Sequence, residues 1–368
     1  FVRRVGLMCS AVIFAFSSLG MAFSPTLAAF ILFRFAAGFG VGMASILSPV
    51  YIAEISPAKI RGRLVAINQL AIVIGILVTN LVNYSIRNLD EEAWRWMFGL
   101  GIIPSLFFLL GIFILPESPR WLVEKGRNPE AEAVLAKIGN NEYASEILDS
   151  IQKSLTGDKM AGFSMLMKKA FLPVVVIGVV LAMFQQLCGI NVVFNYTSNI
   201  FESIGASKDD QLLQTVFIGG VNLIFTFFAI LLVDRVGRRP LMLIGAGGLG
   251  VLYIIIAYFL AIKSAVVSVF LLMAIGVFAA TLAPVTWVLI SEIFPSRIRA
   301  AASSFAVLCL WVAYFITIFT FPLLQKAIGT DNTFYIYSAI CFAGFLFIRS
   351  SVKETNGKSL EDMEGVFR

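Results

Sequence analysis

Of the 368 residues, 59% are hydrophobic and only 14% are charged, against about a quarter charged in a soluble domain, so the chain cannot coat itself in solvent-facing charge. The net charge of +6 invites a nucleic-acid reading, which the placement of the basic residues replaces. The absence of histidine excludes imidazole acid–base catalysis, histidine metal ligands and imidazole proton relays.

Taken in chain order, apolar runs long enough to cross a bilayer, about 20 residues each, fall at 5–23, 28–53, 64–84, 95–115, 171–200, 211–233, 241–262, 265–290, 301–325 and 333–350. Ten helices are predicted. A closed barrel is the other way to satisfy backbone groups in lipid, but its strands alternate apolar and polar residues, and runs such as VVVIGVVLAMF do not. Residue 1 is not Met, and Arg3-Arg4 leads into an apolar run too long for a signal peptide core. Cys9, Cys188, Cys309 and Cys341 each stand alone in apolar surroundings without CxxC spacing. They read as small packing residues rather than a disulfide or metal site.

Threading ten spans places Arg3, Arg4, Lys59, Arg61, Arg63, Arg235, Arg238, Arg239, Arg297 and Arg299 on one side. The loop 116–170 and the tail after 350 fall on that side too. The opposite loops hold Arg87, Arg95, Lys208, Lys263 and Lys326. The basic-rich side is expected to be cytoplasmic. Within 116–170, PEAEAVLAKI and ASEILDSIQKSL have helical apolar spacing and early acidic residues, predicting two or three short amphipathic helices.

The chain repeats itself. Glu54-Ile-Ser-Pro57-Ala-Lys-Ile-Arg61 matches Glu292-Ile-Phe-Pro295-Ser-Arg-Ile-Arg299 at an offset of 238, and Arg3-Arg4 matches Arg238-Arg239 at an offset of 235. Parallel repeats mark transporters built from two similar halves. In the second half two spans precede the repeated motif; in the first none does. Two further helices are therefore expected in a twelve-helix parent protein. The expected organisation is an all-α membrane protein: an N-terminal bundle over 1–115, a cytoplasmic linker over 116–170, a C-terminal bundle over 171–352 and a tail over 353–368.

Amides inside membrane spans are costly unless paired, which makes them candidate site residues. Gln69, Gln185, Gln186, Asn191 and Asn222 lie in such runs. Amides both donate and accept, as a ring of sugar hydroxyls requires, and a Trp face suits the apolar side of a sugar. Six residues separate Gln185 from Asn191, which spreads them over a broad helical face; Gly189 between them permits a local break. The alternative is that the amides only tie helices together.

Five motifs in order carry a resemblance. They are Arg34 with the glycines to Gly42, Pro116-Glu-Ser-Pro-Arg-Trp-Leu122, Gln185-Gln-Leu-Cys-Gly-Ile-Asn191, Asp234-Arg-Val-Gly-Arg-Arg239 and Glu354-Thr-Asn-Gly-Lys-Ser-Leu360. Over its whole length the chain resembles the sugar porter branch of the major facilitator superfamily, most of all bacterial proton-coupled pentose and hexose symporters, those for xylose among them. The resemblance implies the major facilitator fold of two pseudo-symmetric bundles, with ten of twelve membrane helices in this chain. It implies sugar binding at Gln69, Gln185, Gln186, Asn191, Asn222, Trp287 and Trp311. The departures are Val2 for Gly, Lys353 for Pro, Asn195 for a usual Tyr, Leu310 for Gln or Asn, and Ala283 for Gly. Ile76 and Phe194 resemble glucose carriers more than xylose symporters. D-xylose, D-glucose and L-arabinose all stay open as substrates.

Arg34 is the lone charge between residues 5 and 53, a placement that costs about 2.5–3.5 kcal/mol by insertion scales. The resemblance gives it an acidic partner in the first family helix and a part in proton coupling; the alternatives are a static ion pair or a snorkelling Arg. Glu54, Arg61, Glu117, Arg120, Asp234, Arg238, Glu292, Arg299 and Glu354 read as a cytoplasmic gate whose pairs hold two halves together and part on opening, or as ordinary solvated charges. Gly245-Ala-Gly-Gly-Leu-Gly250 fits the dinucleotide pattern GxGxxG but lies in an apolar run with no acid between Asp234 and Glu292, so it reads as helix packing.

The expectation is a monosaccharide and proton symporter working by alternating access. It sits in the lipid bilayer of the inner (plasma) membrane as a multi-pass monomer. It carries no metal, cofactor, nucleic acid or enzymatic activity. A facilitative sugar uniporter and a non-transporting sugar sensor are the alternatives.

Overall fold

Apolar runs that must satisfy their own backbone groups coil into helices. The structure, a computed structural model, describes residues 3–56, 61–157, 163–205, 207–295 and 298–354. Within these, the side chains at 49, 53, 61–63, 65, 66, 150, 153–157, 208, 209, 231, 234, 291, 292 and 300 lie outside the described set. Ten stretches among the described residues are long and apolar enough to cross a membrane. Large apolar side chains such as Phe35, Phe107, Phe315 and Phe319 stand outward and exposed, as a lipid-facing surface requires.

The chain forms two compact units, one of residues 1–71 and 81–159, the other of 72–80 and 160–368. The first contains α1 (Arg3–Ala22), α2 (Leu27–Ile55), most of α3 (Arg61–Ile86), α4 (Ala93–Gly99) and α5 (Ile102–Ile114). Here α1 packs against α2, α4 and α5. Together α4 and α5 make one span, interrupted at Leu100 and Gly101. Pro104 is the cause, since it lacks the N–H that would bond the carbonyl of Leu100 and its ring crowds that carbonyl.

Three short helices follow, α6 (Pro119–Glu124), α7 (Asn128–Ile138) and α8 (Asn141–Gly157). Ser118 caps α6, its Oγ accepting from Trp121 N at 3.4 Å, and Pro119 opens the helix, where its missing N–H costs nothing. Their apolar faces meet at Leu122, Val123 and Ala131, flanked by Trp121, Val134, Leu148 and Ile151. The amphipathic helices expected over 116–170 are present.

The second unit contains α9 (Leu172–Leu187), α10 (Ile190–Asn195), α11 (Thr197–Ser203), α12 (Lys208–Val236), α13 (Arg238–Ala261), α14 (Val267–Ala280), α15 (Leu282–Glu292), α16 (Arg299–Ile328) and α17 (Thr330–Ser351). Its centre is α13, packed along α17 and α14. Tyr253, Leu249, Ile256, Ile275 and Phe334 are buried there. The GxGxxG glycines sit inside α13. A Cβ on Gly245 would strike Thr281 and Leu282, and one on Gly250 would lie 3.0 Å from the Phe342 ring. They serve close helix packing.

Candidate functional site

Two broken spans build the amide cluster. The first break separates α9 from α10 at Gly189, whose φ of +83° is left-handed backbone that side chains with a Cβ avoid. A Cβ there would also overlap the Tyr337 ring. In an unbroken helix a five-residue step leaves two side chains about 140° apart. The break swings Asn191 round, and its Nδ2 donates to Gln186 Oε1. Gln186 Nε2 then donates to Gln185 Oε1 at 3.3 Å.

The second break lies at Thr281 (φ −128°, ψ −85°), between α14 and α15. Two carbonyls in the first turn of α15, Leu282 O and Ala283 O, accept from Gln185 Nε2 at 3.4 and 3.2 Å. The row continues the other way. Asn195 Nδ2 donates to Asn191 O at 2.8 Å, and Tyr314 Oη donates to Asn195 Oδ1 at 3.4 Å. Gln185 and Gln186 are 3% and 9% exposed, so the bonds from Gln185 to the two carbonyls and from Gln186 to Gln185 form where water competes little, whereas those of Asn195 are exposed.

Other expected sugar contacts take separate places. Trp287 and Trp311 are half-buried against one apolar cluster that includes Ala182, Ala306 and Leu310. Trp311 Nε1 is buried without a hydrogen-bond partner among the described residues. Asn222 on α12 is buried, and its side chain makes no hydrogen bond among the described residues. Gln69, on α3 in the first unit, is half-buried. The departures fall beside the cluster: Leu310 is buried, Ala283 contributes its carbonyl to Gln185, and Asn195 is exposed between Asn191 and Tyr314.

Sequence reasoning missed Thr281, Thr317 and Tyr314. Thr317, on α16, is buried with its hydroxyl 2.8 Å from Ala313 O and 3.5 Å from Gln186 O. The signal for the second break was present in Pro284, which cannot donate to Ala280 O.

Arg34 is exposed on α2 with no acidic partner among the described residues; its guanidinium lies 5.4 Å from the Phe98 ring centroid. The expected gate residues pair inside their own units. Glu54 accepts from Arg3 Nη2 at 3.2 Å and from Ser118 Oγ at 2.5 Å. Glu117 Oε1 accepts from Arg4 N at 3.3 Å. Glu354 accepts from Arg238 N at 2.9 Å and Arg239 N at 3.0 Å, placing its carboxylate on the first turn of α13, where backbone N–H groups lack partners. Arg299 Nε donates to Phe294 O at 3.0 Å. Arg120 is exposed, with no polar partner among the described residues. The side chains of Arg61, Asp234 and Glu292 lie outside the described residues. So do Lys59 and Arg297.

All four cysteines are free, with Cys188 and Cys341 buried. No cluster of metal-ligating side chains occurs among the described residues.

A family profile described as sugar (and other) transporter matches residues 1–367. The chain belongs to that family. It is 41% identical over 352 residues to the D-xylose-proton symporter of Escherichia coli, covering 92% of this chain and 71% of that one. It is 35% identical to the arabinose-proton symporter of Bacillus subtilis, covering 99% and 80%, and 38% identical to the glucose transport protein of a Synechocystis strain, covering 97% and 82%. The solved inward-open structure of the xylose transporter XylE from E. coli superposes with a TM-score of 0.85 at 37% identity, covering all of this chain and 83% of that one. This sugar transporter family member has the major facilitator fold, and its family and relatives are transporters rather than enzymes.

Proposed function

We propose that this protein moves a monosaccharide, a pentose or a hexose, across the inner membrane by alternating access, together with a proton. The row of amides through Gln185, Gln186 and Asn191 carries the reading. It concentrates donors and acceptors in an apolar span beside two helix breaks, as a polyhydroxylated ligand needs. Gln69, Asn222, Trp287 and Trp311 complete the proposed contacts, the tryptophans offering ring faces. The named relatives that couple xylose or arabinose to protons support the proton partner.

Arg34 is the proposed coupling residue, held by a carboxylate until that acid takes up a proton. Glu54, Glu117, Arg120, Arg238 and Arg299, with Arg61, Asp234 and Glu292, are proposed to regulate the cytoplasmic opening. The central helices and the C-terminal tail are proposed to face the cytoplasm, on the basic-rich side, and the protein to work as a monomer.

The test is uptake of labelled xylose, arabinose and glucose by proteoliposomes of the full-length protein, with and without an inward proton gradient. Accumulation above equilibrium only with the gradient is expected. Equilibration that ignores the gradient would make it a uniporter. Binding without flux would make it a sensor.

A further inference from the structure

Arg34 meets an aromatic row. Its guanidinium carbon stands 5.4 Å from the Phe98 centroid, within the roughly 6 Å reach of a cation–π contact. Phe98 meets Phe30 edge-on, at 5.1 Å and 77°, and Phe30 meets Trp94 edge-on, at 5.9 Å and 78°. Phe30 and Arg34 are one turn apart on α2, as are Trp94 and Phe98 on α4, so the side chains interleave and Arg34 ends the row. The start of α4 is pinned in turn. Arg95 forms an ion pair with Glu92 at 2.9 Å and donates to the carbonyls of Ala22 and Ser24, both at 2.9 Å.

We propose that Phe98 is a positioning residue for proton coupling, receiving the guanidinium of Arg34 when the carboxylate that otherwise holds it is protonated. The inference rests on the coupling reading of Arg34 given above. An arginine cannot shed its charge. Once its carboxylate is neutral, a guanidinium within an apolar span needs another electron-rich surface, and the face of Phe98 supplies one.

Among the described residues, α1, α4 and α5 bring no charge that competes for it, and α6, which also packs against α2, carries Arg120 and Glu124 at the far, Glu54 end of that helix. On α1 no charged side chain occurs beyond Arg4, and on α5 none occurs at all. The one charge on α4, Arg95, is committed to Glu92 and two carbonyls. The other described charge on α2, Glu54, is 20 residues from Arg34 and bound to Arg3 and Ser118.

The sign of the effect follows. The ring stabilises the state in which the coupling acid carries its proton. A weaker ring face favours the ion-paired state, so protonation then requires a lower pH.

The experiment replaces Phe98 with 3,4,5-trifluorophenylalanine in the full-length protein, which keeps the ring and drains its face of electron density. The midpoint of proton-driven uptake against external pH is then read in proteoliposomes. An acid shift of about half a pH unit is expected, with Phe98→Leu shifting the same way and Phe98→Trp shifting to higher pH. A fluorinated profile that overlays the unmodified one overturns the assignment. Arg34→Leu is run alongside. If that variant still accumulates sugar under a gradient, the coupling reading itself fails. If it abolishes accumulation while the Phe98 series leaves the midpoint still, the ring assignment alone fails.

Discussion

Gln185 stands at the junction of the two broken spans. Its amide nitrogen donates to two carbonyls in the first turn of α15, just after the break at Thr281, and its oxygen receives Gln186. A leucine there removes the tie from α9 to the first turn of α15 and leaves Gln186 Nε2 without its acceptor. One orphaned buried donor costs about 1–3 kcal/mol. Gln185→Leu is therefore expected to weaken sugar affinity at least about tenfold, read by isothermal titration with the purified protein, and an unchanged affinity would remove Gln185 from the site. That amides matter here was legible, because a polar side chain in an apolar run stands out. Their partners were not, since the carbonyls that hold Gln185 lie 97 and 98 residues along the chain and meet it only through the packing of α9 against α15. Tyr314 gave no such signal: a tyrosine in an aromatic-rich span looks like packing until its hydroxyl is seen on Asn195.

Helices α9 and α10 show how a single position shapes an element. The break at Gly189 was foreseen as a possibility from the glycine alone, and the left-handed backbone realises it. Gly189→Ala must either hold left-handed geometry, at about 1–2 kcal/mol, or straighten the helix and pull Asn191 from Gln186. It must also displace Tyr337. A lower unfolding temperature in detergent together with lost uptake is expected, and a variant that keeps both would show that the break is dispensable. The break at Thr281 was not foreseen. Hydropathy runs unbroken through Val267–Ile290, and a window average has no means of registering that Pro284 lacks a donor. The same blindness hid the interruption near Gly101.

For the whole molecule, the ten spans were legible because lipid leaves an apolar run almost no choice of conformation. The internal repeat was legible in its basic motifs, yet its structural content was not. Glu117 accepts from Arg4 N, and Glu354 from Arg239 N. Arg4 reaches the carbonyls of Ile112 and Phe113, and Arg239 that of Arg349. Each unit thus seats an acid on the start of the helix that follows its basic motif. Reading these acids as part of a gate between halves had overlooked this local role. Glu117→Gln and Glu354→Gln each remove a charge from a helix start worth about 0.3–1 kcal/mol. Small, similar drops in unfolding temperature are expected; a drop in only one would break the equivalence.

These caps bring together the two ends of the four-span stretch that follows each basic motif, residue 4 beside 117 and residue 239 beside 354. A stretch whose ends are neighbours is tied end to end whatever precedes it in the chain. Each four-span stretch is thereby closed inside its own unit, and an insertion in one of its inner loops leaves the tie between its ends in place.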